Sequence, residues 1–288
     1  MRVVLFLAVL LPFIVSADAG PAMRVIYGSP ARQPDSAEQS YPLQLLQEAL
    51  QASGEPYLLQ PAGQDMVQSR VLKEIAAGQV DVYWSMTSAA REQQLLPVRI
   101  PLDKGLNGWR LLLIRQGEQA RFQHLQVLSQ LKKLTFIQGH DWPDTEILQH
   151  NGLSVLTSTH PPQLFDMLQK QRGDAFPRAV FEAYEEMQRQ PGKFTVESEL
   201  VLVYPSAVYF FVNRNNQRLA SAIEKGLQQL IATGRFELLF QQRYGAAISV
   251  ADLAKRRQIR LVNPMAPRNF PLADSSLWFR PGAAMPTD

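Results

Sequence analysis

The chain has 288 residues, with 29 Lys and Arg against 26 Asp and Glu, 20 prolines and no cysteine. The missing cysteines exclude a disulfide framework, a thiolate metal site and a thiol nucleophile. The net charge of +3 is spread along the chain apart from Lys255-Arg256-Arg257 with Arg260, so a nucleic-acid surface is not expected.

Residues 1–19, "MRVVLFLAVLLPFIVSADA", place Arg2 before an apolar run from Val3 to Val15 and end in the small residues Ala17 and Ala19. This is the pattern of a cleaved export signal, with the cut expected near Ala19-Gly20. The run is short for a bilayer span and contains Pro12. Export to the periplasm is therefore the expected fate of the mature chain.

From Met23 onward, strand and helix patterns alternate. "MRVIYG" reads as a strand and "YPLQLLQEALQASG" as a helix, with Pro42 in its first turn and Gly54 past its end. "EPYLLQP" is a second strand, "DMVQSRVLKEIAAG" a second helix, and residues 80–84 a third strand. A second set follows: "GWRLLLI" and "LKKLTFIQG" as strands, "PDTEILQHNG" as a helix, "LSVLT" as a strand and "PPQLFDMLQKQRG" as a helix. "DAFPRAVFEAYEEMQRQPG" holds a strand, a turn and a helix; "LVLVYPSAVYFFVN" gives two strands around Pro205; residues 217–245 give helices punctuated by Gly234. Such alternation with short connections predicts mostly parallel sheets covered by helices. Five prolines after residue 263 disfavour regular structure there. Residues 248–288 are expected to form a short helix and then an extended tail packing on the surface.

In order and in local phrasing, these elements resemble the family 3 bacterial extracellular solute-binding proteins, polar-amino-acid receptors of the type 2 periplasmic-binding-protein fold. The resemblance covers residues 23–247. It rests on Gly78 to Arg91, on "LTFIQGHDW", on "LFDMLQKQRGDAF", and on the closing passage from "AVYFFVN" to "RYG". It implies two Rossmann-like α/β lobes joined by two hinge strands, near Pro101 to Gly108 and Val203 to Ala207. Lobe 1 would comprise residues 23–106 and 208–247, and lobe 2 residues 107–207. Ligand would sit between them, beyond the carboxyl ends of the strands.

The resemblance further implies that Ser85, Thr87 and Ser88 line the lobe 1 wall and that Arg91 grips a ligand carboxylate. A planar guanidinium can make two parallel hydrogen bonds to such a group. This chain has one more residue between the hydroxyls and Arg91 than common members, and an exposed helix-start role for Arg91 stays open. From lobe 2, His140, Asp141 and Trp142 precede a helix whose free N–H groups favour an anion. For Asp141 or Asp144 the alternative is helix capping, and for Trp142 it is packing.

Amino-acid receptors of the family carry an acidic residue shortly after Gly-Asp-Ala; here that region reads Phe176-Pro177-Arg178-Ala179. Arg178 either faces the cleft or forms a surface ion pair with Glu182, four residues on. Arg110, inside an apolar strand, either faces the cleft or pairs structurally. Three cations around one cleft predict an anionic solute.

No Gly-x-Ser-x-Gly, His-Glu-x-x-His or phosphate-loop motif is present. His124, His140, His150 and His160 lack metal-ligand spacing. The expected protein is a monomeric receptor without cofactor or metal, passing a small solute to an ABC transporter permease or a membrane sensor. The alternative is an exported dehydratase-like enzyme on the same scaffold, with Asp144, Asp174 and Glu182 as candidate acids or bases.

Overall fold

A computed structural model describes residues 21–28, 40–63, 66–267, 270 and 275–282. The export signal expected over residues 1–19 lies outside them. The first sheet is built from β1 (Met23–Tyr27), β2 (Tyr57–Pro61), β3 (Val82–Met86) and β4 (Leu96–Val98). Between these strands run α1 (Tyr41–Ser53), α2 (Gln68–Ala76) and the short α3 (Ala89–Gln94). The chain then crosses to a second sheet through a tight turn. Asp103 caps that turn by accepting from the N–H groups of Gly105 (3.1 Å) and Asn107 (2.9 Å).

The second lobe contains β5 (Trp109–Arg115), α4 (Leu128–Leu131), β6 (Thr135–Gly139), α5 (Pro143–His150) and β7 (Ser154–Ser158). It continues through α6 (Pro161–Gln169), β8 (Phe176–Ala179), α7 (Val180–Gln188), β9 (Phe194–Val196) and β10 (Leu200–Val203). The return crossing leads to β11 (Val208–Val212), α8 (Gln217–Ala232) and α9 (Arg235–Ala251), and last comes β12 (Arg257–Arg260). At the crossing the two segments touch: the Tyr204 N–H donates to the Gly108 carbonyl at 3.1 Å, and a Cβ on Gly108 would lie 2.1 Å from the Tyr204 oxygen.

The first sheet has the order β2-β1-β3-β11-β4, with β1 parallel to β2 and β3, and β11 antiparallel to both of its neighbours. Successive side chains of β11 point to opposite faces, as the pleat requires. Phe210 and Val212 join the cluster under α1 and α8, whereas Tyr209 and Phe211 join the one under α2. Leu45, Leu46, Ala49 and Leu50 of α1 meet Leu219, Ile223 and Leu227 of α8, all fully buried. Each large side chain there contributes roughly 1.5–3 kcal/mol. The helices approach closely enough that a Cβ on Gly226 would lie 1.8 Å from the Ala49 carbonyl oxygen.

In the second sheet, β5 is central. It pairs antiparallel with β8, β9 and β10, and the parallel pair β6-β7 joins β8 through a Phe136–Ala175 bridge. Leu111 and Leu113 face one cluster, Leu112 and Ile114 the other.

Residues 248–267 do not form the surface tail expected of the stretch 248–288. The helix runs to Ala251, and β12 then pairs parallel with β10 over four residues, in the register Leu200–Arg257 to Val203–Arg260. Ile259 and Leu261 are buried in the lobe 2 cluster, which makes β12 a true edge strand. No helix among the described residues is long and apolar enough to cross a membrane.

Candidate functional site

A cleft separates the lobes beyond the carboxyl ends of β3 and β6. Its middle is a cavity of about 350 Å³, with Tyr83, Trp84, Ser85 and Met86 on the lobe 1 side and Arg110, Trp142, Asp144, Arg178 and Glu182 opposite. Past Trp142 and Pro143 it opens into about 360 Å³ lined by Ser88, Arg91, His140, Asp141 and Met265. Past Trp84, Arg178 and Glu182 it opens into about 630 Å³ bounded by α1, α7 and α9.

The lobe 1 wall is organised by Arg91. Ser88 is the N-cap of α3 and accepts from the Arg91 N–H at 3.2 Å, which fixes where that side chain starts. The guanidinium folds back over the end of β3. Its Nη1 donates to Ser85 Oγ at 2.8 Å and to the Met86 carbonyl, and its Nη2 donates to Gln68 Oε1 at 3.0 Å. These acceptors are all neutral, and no carboxylate among the described residues lies within ion-pair distance. A guanidinium has five N–H donors, so Nε–H and one Nη2–H remain without an acceptor among the described residues. Burial pushes its pKa down, partly countered by Tyr83 and Asp141. Thr87 takes another role than the expected one. It is 1 % exposed and donates to Glu92 Oε1 at 2.7 Å, so its hydroxyl secures α3 and is not presented to solute.

On lobe 2, β6 ends in Gly139, where a Cβ would strike the Trp142 ring at 2.4 Å; glycine here lets the indole fold back over the strand end. Trp142 stacks on Phe176 with ring centres 6.3 Å apart, so it both packs and lines the cleft. His140 and Asp141 are exposed at the cleft mouth, with the His140 ring 3.4 Å from Thr157 Oγ1. The capping alternative for Asp141 finds no support, since α5 has Trp142 as N-cap residue with no side-chain cap.

The two lobe 2 arginines line the cavity but are already neutralised, which corrects the expectation of three available cations. Arg110 meets Asp144 at 2.7 Å and Glu182 at 3.4 Å, and its Nε donates to Tyr204 Oη at 2.8 Å. Tyr204 in turn donates to Asp144. Burial alone would depress the Arg110 pKa, but Asp144, Tyr204 and Glu182 outweigh it and raise it. Arg178 makes a two-pronged pair with Glu186 at 2.7 and 2.6 Å and meets Glu182 at 3.2 Å. This pair is buried, not on the surface: the Arg178 side chain is 9 % exposed and lies between Trp142 (4.9 Å) and Phe176 (4.8 Å). Burial raises the Glu186 pKa despite Arg178, whereas for Glu182 burial is outweighed by Arg178 and Arg110 and its pKa falls.

The result is an alternating wall, Asp144–Arg110–Glu182–Arg178–Glu186. Glu182 Oε2 also accepts from the Ala179 N–H at 2.9 Å, so an anion does stand after Gly-Asp-Ala, supplied from the first turn of α7. Gln68, Tyr204 and Met265 were not singled out by sequence. Gln68 and Tyr204 lie far along the chain from the arginines they touch, and nothing around Met265 signals a cleft residue. Among the described residues no cluster of His, Asp and Glu is arranged to hold a metal ion.

No family model and no curated protein matches the chain. Solved structures do. The VFT2 domain of Bordetella pertussis BvgS superposes with a TM-score of 0.60 at 19% identity, over 78% of this chain and 94% of that one. The probable amino-acid ABC transporter extracellular-binding protein YtmK of Bacillus subtilis gives 0.61 at 19%, over 78% and 99%. A Salmonella typhimurium periplasmic binding protein with high arginine specificity gives 0.59 at 13%, over 77% and 100%. At these identities the likeness establishes the fold. The chain has the two-lobe α/β architecture of type 2 periplasmic binding proteins.

Proposed function

We propose that the chain is an exported receptor that holds a small solute in the interlobe cleft, with one anionic group of the solute on Arg91. The observation that carries this reading is the state of that guanidinium. It is fixed by Ser85, the Met86 carbonyl and Gln68, it has no carboxylate partner among the described residues, and it keeps two N–H donors. Arg110 and Arg178 are balanced within lobe 2, so the charge left for solute suits one carboxylate, phosphate or sulfonate. Trp84 and Trp142 supply flat apolar walls around such a molecule. The proteins it superposes on include the probable extracellular-binding protein of an amino-acid ABC transporter and the VFT2 domain of BvgS. A permease and a membrane sensor are the two classes of partner proposed, served by a monomer. The enzyme reading is weaker: Asp144 and Glu182 are held in ion pairs, and Asp174 is bound to Arg121 and the Thr135 N–H.

A thermal-shift screen across carboxylates, phosphates, sulfonates, amino acids and sugars, followed by calorimetry, tests it. Charge-assisted hydrogen bonds contribute about 1.5–3 kcal/mol each. Arg91→Ala should therefore weaken the best anionic hit roughly ten- to a hundredfold. A best hit that is neutral or cationic, or an Arg91→Ala protein that binds as wild type does, overturns the reading. Depletion of the hit on long incubation would favour the enzyme instead.

A further inference from the structure

Two crossing segments near residues 101–108 and 203–207 would leave the lobes free to swing apart. The described residues contain more than these. The middle of α9 leans on α7 of the second lobe: Arg243 meets Glu185 at 2.9 Å, and Phe181 packs on Tyr244 with ring centres 4.9 Å apart. Arg256 then donates to the carbonyls of Ala251, Glu197 and Leu200, tying the exit of α9 to the lobe 2 sheet just before β12.

After β12 the chain turns back to lobe 1. Val262 is held on lobe 2 by a reciprocal pair with Asn151 at the end of α5, at 3.0 and 2.8 Å. Asn263 donates to the Pro205 carbonyl in the return crossing at 2.8 Å. Met265 then accepts at its carbonyl from the Ala89 N–H of α3, on lobe 1, at 2.9 Å. Three residue steps therefore separate an anchor on one lobe from an anchor on the other. A fully extended chain of that length spans at most roughly 10–11 Å. The Met265 side chain packs on the lobe 2 cluster and lines the cleft beside Arg91.

We propose that the segment from α9 to Met265 is a third interlobe connection, a strap that bounds how far the cleft opens and walls its Arg91 end with Met265. Opening beyond that reach must break either the Ala89–Met265 bond or the Asn151–Val262 pair, behind which Leu261 still holds the Val203 carbonyl. The surroundings of Met265 fit this role, since its neighbours come from both lobes. The proposal goes beyond the binding reading and is tested without any solute.

The absence of cysteine makes the experiment direct. Spin labels placed by Ala76→Cys on α2 and Lys133→Cys on lobe 2, both exposed positions, report the interlobe distance by pulsed electron resonance. Ala89→Pro cuts the lobe 1 end of the strap. Proline lacks the N–H and is tolerated in the first turn of a helix, and Ser88 before it is extended (φ −151°, ψ 158°), as a residue preceding proline should be. Asn151→Ala releases Val262 and moves the lobe 2 anchor back to Leu261, whose N–H donates to the Val203 carbonyl at 2.9 Å, so the free strap lengthens. The full chain should give one narrow distance, and each variant a broader distribution extending to longer distances. Since the variants act at opposite ends of the strap, either one that keeps the wild-type circular dichroism spectrum decides the matter. A broad wild-type distribution, or folded variants that superimpose on it, overturns the proposal.

Discussion

Arg178→Met removes the central cation of the lobe 2 wall and keeps much of the side chain's apolar volume. It leaves Glu186 without its two bonds at 2.7 and 2.6 Å, and Glu182 without its contact at 3.2 Å. Removing one partner of a buried pair costs about 3–5 kcal/mol, because the other charge is stranded. The Glu182 side chain is 31 % exposed and keeps Arg110, which puts the expected loss at the low end, about 3 kcal/mol. At roughly 2 °C per kcal/mol for a chain of this size, the melting temperature should fall by about 6 °C near neutral pH. The loss should also depend on pH with a definite sign. Burial already raises the Glu186 pKa, and losing Arg178 raises it further, so protonation relieves the stranded charge. The deficit should shrink as pH falls. Thermal and urea unfolding followed by circular dichroism measure both effects. A deficit under about 1 kcal/mol, the worth of a solvent-screened pair, or one that does not change with pH, would refute the account of this wall.

Asp103 supplies a second pH test. Burial pushes its carboxyl up to about 6, against N–H donors from Asn107 and Gly105 that favour the anion. A folded pKa above the unfolded value of about 3.9 means that the fold loses stability as pH rises from about 4 to about 6, by about 3 kcal/mol. The stability of Asp103→Asn relative to wild type, read from melting temperatures, should rise across that window. Gly226→Ala forces a Cβ to within 1.8 Å of the Ala49 carbonyl, and no side chain can move to relieve it. Urea unfolding should show a loss of about 1–3 kcal/mol or more; an unchanged midpoint would mean that α1 and α8 separate freely.

Much of the fold was legible because its elements are long and strongly patterned. The period-3.6 faces of α1 and α8 and the apolar run of β5 carry their own assignments. The missed elements are short or polar. The strands β4 and β9 have three residues each and α4 has four, too few for any period to show. β12 reads Arg-Gln-Ile-Arg beside Lys255 and Arg256, which as sequence is a solvated charge run. The structure uses the same residues differently: Ile259 is buried, and Arg256 reaches three backbone carbonyls. Only the exposed edge of β10 makes that strand possible, and an exposed edge is a tertiary fact.

The cleft shows a similar limit, with a physical cause that orders the candidates. Arg178, Glu182 and Glu186 stand four residues apart, so their pairing was partly readable from helical spacing. Their burial was not, and burial decides whether a cation is available to solute. A desolvated guanidinium needs an anion close by or a ligand that brings one. Arg110 finds Asp144 34 positions away and Glu182 72 positions away, partners that only the fold brings together. Arg178, in β8, finds two carboxylates on α7, the helix that follows it. Arg91 is held by a serine hydroxyl, a backbone carbonyl and a glutamine amide, which orient its charge without cancelling it. Of the three arginines, it is the one with no carboxylate partner among the described residues, which is why the proposed reading puts the solute's anionic group there.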